Sequence, residues 1–292
     1  MRAFEDFNPI SITVYFLSVI SVVMLTGNPY LLLFSLFGAV LLFLIRRGAE
    51  GWKTHIFYSL IFAFASLINP IVSHAGVTVL FVVNDSPITL ESTVFGVITS
   101  LAIISVLYWF NSFTDIMTSD KLLYVFGSLS PKLALILSMG LRYVSLFKRQ
   151  MERVKATQTA LGLYKEDNVI DRIKGGVRIF SVMVSWALEN GIITADSMAA
   201  RGYGVAKRSH FHNFTFSALD ISLTVISLSL ALLSLISIGL GALDFNCYPY
   251  IKMSEPVLLS YVGYVSYALL ALIPVLIEAG ERIKWKYLVS KI

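Results

Sequence analysis

Residues 221–243 read ISLTVISLSLALLSLISIGLGAL and contain no Asp, Glu, Lys, Arg or His. A helix needs about 20 mostly apolar residues to cross the hydrocarbon core of a bilayer. This stretch therefore predicts a membrane-spanning helix. The whole chain has the same character, because 57% of its 292 residues are hydrophobic and only 14% are charged. A soluble domain carries about 25% charged residues.

Six stretches of the chain fit this pattern, so the predicted fold is all-α, a polytopic membrane protein of about six spans with a cytoplasmic insert of long helices. The predicted spans are residues 10–27, 30–45, 56–72, 92–111, 221–243 and 257–277. None of them contains Asp, Glu, Lys, Arg or His. Gly27-Asn28-Pro29 separates the first two spans and predicts that they form a tight hairpin.

The distribution of positive charge predicts the orientation of these spans. Of the 23 Lys and Arg residues, 22 lie in segments on one side of the predicted spans, and only Lys252 lies on the other. Basic loops usually face the cytoplasm. We therefore expect a multi-pass protein of the cell membrane, surrounded by membrane lipid, with both termini in the cytoplasm. A nucleic-acid partner is not expected, since it would need a basic stripe on a soluble face.

The spans divide the chain into three parts. Residues 1–111 form an N-terminal transmembrane part of about four spans, and residues 112–220 a cytoplasmic helical region. Residues 221–292 form a C-terminal transmembrane part of two spans with a basic tail. The apolar stretch 77–83 is too short to cross and is expected to pack at the outer surface. Asp85 and Glu91, on the same side, are expected to be solvated.

The first long helix of the cytoplasmic region is predicted to start at Ser130-Pro131. Ser is a good helix cap and Pro is favoured in the first turn. The helical pattern continues to Leu161 and stops at Gly162. Its first half is apolar and its second half is charged, so we expect it to begin against the membrane part and end in the cytosol. Arg142, flanked by apolar residues, is expected to brace the crossing of the two long helices.

The second long helix is predicted to start after Asp167 or Asn168 and to end at Arg201. Gly202 can adopt the left-handed conformation that terminates helices. Gly191 is expected either to kink this helix or to split it, because Gly is unfavourable in a helix interior.

The two long helices end alike, with Ala160-Leu161-Gly162 in the first and Ala200-Arg201-Gly202 in the second. Small residues leave the last turn sterically open, and Arg offers five donors in a fixed fork to a carboxylate. These ends are candidate docking sites for a partner protein, to which Met198 and Tyr203 would add apolar contact. The alternative is that each ending is merely a favourable helix stop.

The sequence contains no motif for chemistry of its own. The dipeptide Gly-Lys does not occur, so the chain has no P-loop for ATP. The charge-free spans disfavour a secondary transporter or a membrane-embedded enzyme, because both need polar or ionisable groups within the membrane. No catalytic residue, cofactor or metal site is predicted. His210 and His212 are expected to lie among lipid headgroups rather than to bind a metal.

Two motifs of the cytoplasmic region resemble those of a known family. Residues 195–204 read Ala-Asp-Ser-Met-Ala-Ala-Arg-Gly-Tyr-Gly, and residues 141–143 and 158–162 read Leu-Arg-Tyr and Gln-Thr-Ala-Leu-Gly. Together they resemble the paired Ala-Arg-Gly signatures of the transmembrane T component of energy-coupling factor transporters, which include the cobalt importers. The order of spans and long helices is similar over most of the chain, and the specific part is 131–204.

This resemblance implies a transmembrane energy-coupling scaffold that is not itself an enzyme. In the family, the two signatures lie at the tips of coupling helices, and each docks into one of two ATP-binding cassette ATPase subunits. A separate substrate-binding S component in the membrane holds the vitamin or metal ion. The residues that would dock the ATPases here are Ala160, Leu161, Gly162, Ala200, Arg201 and Gly202, supported by Arg142, Met198 and Tyr203.

The chain departs from the family pattern at Leu161, where the family has Arg. The first contact would then be apolar, and the two docking sites would be unequal, which suits a heterodimeric ATPase pair. The alternative function is a conventional ABC importer permease that forms its own translocation path. Such a permease couples through one shorter cytoplasmic loop, so the long insert disfavours it.

Overall fold

The computed structural model describes residues 4–73, 75–83, 86–164, 168–205, 214–255 and 257–290, most of which are helical. The α-helices in the described residues are α1 (Pro9–Leu25), α2 (Pro29–Arg47), α3 (Trp52–Val72), α4 (Leu90–Ile116), α5 (Ser119–Leu129), α6 (Pro131–Ala160), α7 (Val169–Ala200), α8 (Ala218–Gly239) and α9 (Leu258–Val289). Short 3-10 helices occupy Phe4–Asp6 and Gly48–Gly51. The predicted all-α, polytopic membrane fold is confirmed.

Six helices of the described chain are long and apolar enough to cross a membrane, namely α2, α3, α4, α7, α8 and α9. Five of them coincide with predicted spans. The first predicted span corresponds to α1, which is apolar but has only 17 residues. The remaining helix, α7, lies in the predicted cytoplasmic region. Length and composition alone therefore do not distinguish α7 from a span.

The described residues also form two small β-hairpins, which the sequence did not predict. Strand β1 (Val79–Val83) pairs antiparallel with β2 (Ser86–Thr89). Strand β3 (Phe245–Asn246) pairs antiparallel with β4 (Lys252–Met253). The apolar stretch 77–83 is thus mostly a β-strand, and most of its apolar side chains are exposed.

The first hairpin is attached to the bundle through Glu91, in the first turn of α4. The expectation that Glu91 is solvated is wrong, because this residue is only 3% exposed. Its carboxylate accepts hydrogen bonds from the backbone N–H of Thr78, at 3.2 Å, and from the Thr78 hydroxyl, at 2.7 Å. A buried carboxylate needs such donors. Asp85 lies outside the described residues.

Asn-Pro pairs start the first two helices. The Asn8 side chain accepts a hydrogen bond from the N–H of Ile10, with Pro9 at the first helical position, and Asn28-Pro29 repeats this arrangement. The predicted break between the first two spans is therefore confirmed. The two helices nevertheless contact each other little, since α1 packs mainly on α8 and α2 packs on α4 and α9. They are joined by a tight turn but do not form a packed pair.

Contacts divide the chain into two compact units, one formed by Met1–Leu122 with Phe214–Ile292 and the other by Leu123–Asn213. We call the first unit the bundle. Its helices are α1 to α4, α8 and α9, and α3 packs mainly on α4. Its largest fully buried side chain is Trp109, whose indole N–H donates to the Ser35 hydroxyl at 2.9 Å.

Glycines let the bundle helices approach closely. A Cβ atom on Gly38 would lie 2.8 Å from the carbonyl oxygen of Ala271, and one on Gly96 would lie 2.7 Å from that of Ser66. Membrane helices rely on such small residues, because lipid tails are as apolar as side chains and association depends on close packing. These two positions fix the α2–α9 and α3–α4 contacts.

Charged residues gather at one end of the bundle, which we call the ion-pair end. Arg46 binds Glu5 at 2.8 Å and Glu278 at 3.0 Å, and Arg47 binds Asp115 at 2.6 Å. Arg46 and Glu278 are largely buried, so this network joins the last turn of α2 to the N-terminal segment and to α9.

The start of α8 lies at the same end. Ser217 and Asp220 form a capping box. The Ser217 side chain accepts a hydrogen bond from the backbone N–H of Asp220, and the Asp220 side chain accepts one from the backbone N–H of Ser217. Asp220 also accepts a hydrogen bond from the N–H of Asn8 at 2.7 Å. The starts of α1 and α8 and the ends of α2 and α4 therefore share the ion-pair end.

The opposite end of the bundle carries the β-hairpins, and we call it the hairpin end. The Asn28 side-chain amide donates to the carbonyl oxygen of Leu243 at 3.1 Å and to the Tyr264 hydroxyl at 2.8 Å. The rings of Phe95 and Tyr248 lie 5.4 Å apart. These contacts join the α1–α2 turn, the start of α4 and the segment between α8 and α9.

The second unit contains α6 and α7, which cross in an antiparallel arrangement. The hydroxyls of Tyr143 and Thr194 are hydrogen-bonded at 2.9 Å, and the rings of Phe147 and Trp186 meet edge to face at 5.4 Å. Because a later residue on α6 contacts an earlier residue on α7, the helices run in opposite directions. Helix α7 continues through Gly191 without a break.

Candidate functional site: two exposed helix ends

The first candidate docking site is the end of α6, where the backbone forms a Schellman motif. Gly162 has a φ of +68°. Its N–H donates to the carbonyl of Thr159 at 3.0 Å, and the N–H of Leu163 donates to that of Gln158 at 2.9 Å. These two hydrogen bonds satisfy carbonyl groups that would otherwise lack partners at the helix end. The predicted stop at Leu161-Gly162 is confirmed.

The end of α7 repeats the same backbone arrangement. Gly202 has a φ of +78°. Its N–H donates to the carbonyl of Ala199 at 2.9 Å, and the N–H of Tyr203 donates to that of Met198 at 3.0 Å. The motif pairs Tyr203 with Met198, the positions at which an apolar contact usually accompanies it. The predicted stop at Arg201-Gly202 is likewise confirmed.

The backbone motif is not confined to these two ends. In the bundle, α8 also ends in it, with Gly241 at a φ of +73°. There the N–H groups of Gly241 and Ala242 donate to the carbonyls of Ile238 and Ser237. The motif is therefore a general helix stop, and the side chains around it must distinguish a docking site.

The side chains at the end of α7 project away from the helix pair. Ala199, Ala200 and Arg201 are exposed, and Val205 is 86% exposed. Arg201 forms no ion pair within the described part of the chain. A guanidinium beside two alanines and an apolar side chain can bind a carboxylate at the entrance of a shallow groove.

The end of α6 presents an apolar surface instead. Ala160 and Gly162 are exposed, Leu161 is 67% exposed, and Leu163 is also exposed. An exposed leucine at such a position offers apolar area but no directed hydrogen bonds. The two ends thus share a backbone geometry and differ in the chemistry that they present.

The end of α6 is supported from behind by contacts with α7 that the sequence did not reveal. The ring of Tyr164 packs directly on Gly175, where a Cβ atom would clash. The ammonium of Lys155 lies 4.9 Å from the centre of the same ring, a distance at which a cation is attracted to the aromatic face. Arg178 donates to the carbonyl of Leu163 at 3.4 Å. Gly175 and Tyr164 lie 11 positions apart with no shared motif, so no sequence pattern pointed to their contact.

Arg142, predicted to brace the crossing of the two long helices, is exposed and forms no hydrogen bond to α7 in the described residues. The contact with α7 that was expected of Arg142 is made instead by the neighbouring Tyr143, whose hydroxyl is hydrogen-bonded to that of Thr194.

The two ends lie on opposite sides of the helix crossing. Because α6 and α7 are antiparallel, Leu161 and Arg201 extend from it in different directions. At 1.5 Å per residue the ends are separated by roughly 30–40 Å, depending on the crossing angle. That distance exceeds the width of one helix several times over, so each end can contact a different protein.

No alternative site for chemistry emerges from the residues that the structure describes. In that part of the chain, no group of three or more His, Cys, Asp or Glu side chains is placed to hold a metal ion. His210, His212 and Asp167 lie outside the described residues. Asn168 does cap the start of α7, although its side chain makes no capping hydrogen bond.

The chain matches no protein-family model and no curated protein sequence. A functional conclusion must therefore rest on the geometry of the two helix ends, on the topology of the bundle and on the sequence motifs.

Proposed function

We propose that this protein is the transmembrane energy-coupling scaffold of an ATP-driven importer. Two partner ATP-binding cassette ATPases would dock at the ends of α6 and α7. A separate substrate-binding subunit in the membrane would hold the transported vitamin or metal ion. The substrate class follows from the resemblance of the 195–204 motif to the T components of energy-coupling factor transporters.

The observation that carries this proposal is the pair of exposed helix ends with one backbone geometry. Each end presents an open last turn to a partner, and the distance between them allows two partners to bind at once. The stop at the end of α8 also has an exposed leucine, Leu240 (69% exposed), beside its glycine, so the exposed Leu161 does not by itself indicate docking. The exposed Arg201 beside Gly202 is the feature that favours docking.

The topology of the bundle supports a position of α6 and α7 on one side of the membrane. Helix α4 ends and α8 begins at the ion-pair end, through Asp115 and Asp220. The chain between these two points must cross the membrane an even number of times. Within the described part of that segment, α7 alone is long and apolar enough to cross. A single crossing would separate Asp115 from Asp220, so α7 is better explained as a helix outside the membrane.

The absence of a P-loop from the sequence assigns ATP hydrolysis to the partners. Movement of the ATPases on binding and hydrolysing ATP would displace the two helix ends, and the α6–α7 crossing would pass this displacement to the membrane part. The charge-free predicted spans fit a protein that holds no ion itself. The positive-inside rule makes the side with the basic insert the cytoplasm, where ATP is available.

The test is affinity capture of the tagged full-length protein from its native membrane, with the captured proteins identified by mass spectrometry. We expect two ATPase subunits and at least one small membrane protein. Arg201→Glu should lower the recovery of ATPase about tenfold or more, because charge reversal both removes a pair and adds repulsion. Lys148→Glu is the matched control, since Lys148 is exposed on the same helix pair but far from both ends.

Capture without any ATPase would overturn the proposal, and Arg201-Gly202 would then be only a helix stop. Equal losses in Arg201→Glu and Lys148→Glu would show that general positive charge, rather than the helix end, attracts the ATPase.

A further inference from the structure

The β1–β2 hairpin exposes apolar side chains on both of its faces. Val79, Leu80, Phe81 and Val82 of β1 are each more than half exposed. Phe81 and Val82 pair with consecutive residues of β2, so their side chains point to opposite faces of the hairpin. Natural sheets protect an exposed edge with charged residues or proline, and β1 contains neither. Water is therefore an unfavourable environment for this strand.

The hairpin starts at the end of a membrane-spanning helix. Helix α3 precedes it directly, and its 21 residues measure about 31 Å, close to the thickness of the hydrocarbon core, about 30 Å. Trp52 is exposed at the start of α3, and Tyr30 and Tyr261 are exposed at the hairpin end, in the first turns of α2 and α9. Exposed Trp and Tyr are typical of the two membrane–water boundaries. The hairpin thus begins where α3 leaves the hydrocarbon core.

The helices of the bundle leave β1 uncovered. Strand β2 contacts α3 and α4, whereas β1 contacts mainly β2. The base of the hairpin is held by the Thr89 hydroxyl, which donates to the carbonyl of Ala75 at 2.7 Å, and by the hydrogen bonds from Thr78 to Glu91. From this base, the five residues of β1 extend about 17 Å.

Lipid at the membrane boundary fits this surface. A protein that packs on one face of the hairpin leaves the other face in water, whereas lipid surrounds both faces. The hydrocarbon core is excluded, because a two-stranded sheet has two free edges whose backbone N–H and C=O groups need hydrogen-bond partners. Water and headgroups provide these partners at the boundary, where apolar side chains also reach the acyl chains.

We propose that the β1–β2 hairpin lies in the headgroup region of the leaflet at the hairpin end, where Phe81 and Val82 anchor it in lipid, one on each face. The anchor holds the end of α3, a helix whose contacts within the bundle are mainly with α4. This inference does not depend on the proposed energy-coupling function.

The test measures the depth of spin labels on the full-length protein in vesicles of phosphatidylethanolamine and phosphatidylglycerol. Single labels at Phe81→Cys and Val82→Cys, in a Cys247→Ser background, are compared with two references. Phe64→Cys lies on the exposed face of α3 near its middle, and Lys148→Cys lies among the exposed charged residues of α6. Collisions with oxygen report apolar surroundings, and collisions with a water-soluble nickel chelate report water.

We expect both hairpin labels to collide with the chelate several-fold less often than the label at position 148 and several-fold more often than the label at position 64. Their oxygen collisions should exceed those at position 148. Both hairpin side chains are exposed, so the substitutions remove little packing.

A chelate collision rate at position 81 or 82 equal to that at position 148 would overturn the proposal, because that face would lie in water. Protection of either position from both reagents would also overturn it, since a second copy of the chain would then cover that face. In native membranes, a photoreactive residue at position 81 should form adducts with lipid. Crosslinks to protein instead would identify a protein partner and overturn the lipid anchor.

Discussion

The bundle and the α6–α7 pair use the same residue types in opposite ways. In the bundle, Gly96 touches the backbone of the neighbouring helix, and a Cβ atom there would lie 2.7 Å from an oxygen of Ser66. In the pair, Gly175 packs against the Tyr164 ring, but Gly140 and Gly191 face open space. Arg46 binds two carboxylates within the bundle, whereas Arg201 binds none in the described chain. The bundle helices find their partners within the unit, and the pair leaves its surface available.

Helix α7 shows the same difference along its length. Ile179 is buried and Trp186 packs on α6. On the opposite face, Ile173, Val177 and Phe180 are exposed, and the apolar series continues toward Ile192. An exposed apolar stripe of this length usually marks a surface for interaction with other molecules.

The largest expected difference between the two units is in thiol reactivity. Cys247, the only cysteine, is buried in the bundle, and burial raises the pKa of its thiol. The reactive thiolate is then scarcer at neutral pH than in an exposed cysteine. We expect Cys247 to react with a maleimide about 100-fold more slowly than Val205→Cys in a Cys247→Ser background, because labelling requires local opening.

The pH dependence of this labelling separates burial from slow diffusion of the reagent. The rate at Cys247 should keep rising at pH values where the rate at position 205 has levelled off, since its thiolate forms at higher pH. Equal rates at both positions would contradict the burial of Cys247.

Substitutions at Arg46 and Arg201 should separate an effect on stability from an effect on partner binding. Arg46→Ala leaves Glu278 largely buried without its cation, and the cost should be about 2 kcal/mol, between the values for exposed and buried pairs. Arg201→Ala should leave stability unchanged and weaken ATPase capture. Thermal unfolding in detergent measures the first effect and affinity capture the second. A loss of stability in Arg201→Ala would reveal a structural role for that residue.

Replacing glycine by alanine should change stability in opposite directions at Gly96 and Gly191. Gly96→Ala forces α3 and α4 apart and should destabilise the bundle by about 1–3 kcal/mol. Gly191→Ala meets no obstacle and should stabilise α7 by about 0.5–1 kcal/mol, the usual advantage of Ala over Gly in a helix. Hydrogen–deuterium exchange of each helix gives both values. Destabilisation by both variants would mean that α7 is also closely packed at Gly191.

The smallest expected effect is at the end of α6. Leu161→Arg gives this end the chemistry of the other one, and we expect a change of a few-fold in ATPase capture, about 0.5–1 kcal/mol, as for an exposed ion pair. A change in which ATPase is preferred would support unequal docking sites. Equal losses on mutating Leu161 and Arg201 to Glu would instead argue that the two sites are equivalent.

The sequence predicts best the features that depend on neighbouring residues. Five predicted spans coincide with helices long and apolar enough to cross, and the stops at Gly162 and Gly202 follow from the need for a positive φ at that position. The start of α2 at Asn28-Pro29 also depends only on neighbouring residues. These features need no knowledge of which helices pack together.

The features that were missed depend on residues far apart in the chain. The burial of Glu91 follows from its hydrogen bonds to Thr78, 13 residues earlier. The contact of Tyr143 with Thr194 joins residues 51 positions apart, so the sequence could suggest Arg142 as readily as its neighbour. The separation of α1 from α2 also depends on long-range packing, because α8 and α9 provide the surfaces that these helices prefer.

The α6–α7 pair has a mechanical consequence, because its two ends are held differently. The end of α6 lies against α7, where the Tyr164 ring packs on Gly175 and Arg178 donates to the carbonyl of Leu163. The end of α7 extends about 10 Å beyond the hydrogen bond between Thr194 and Tyr143. A force applied at Leu161 would therefore act on both helices together, whereas a force applied at Arg201 would act first on the last turns of α7.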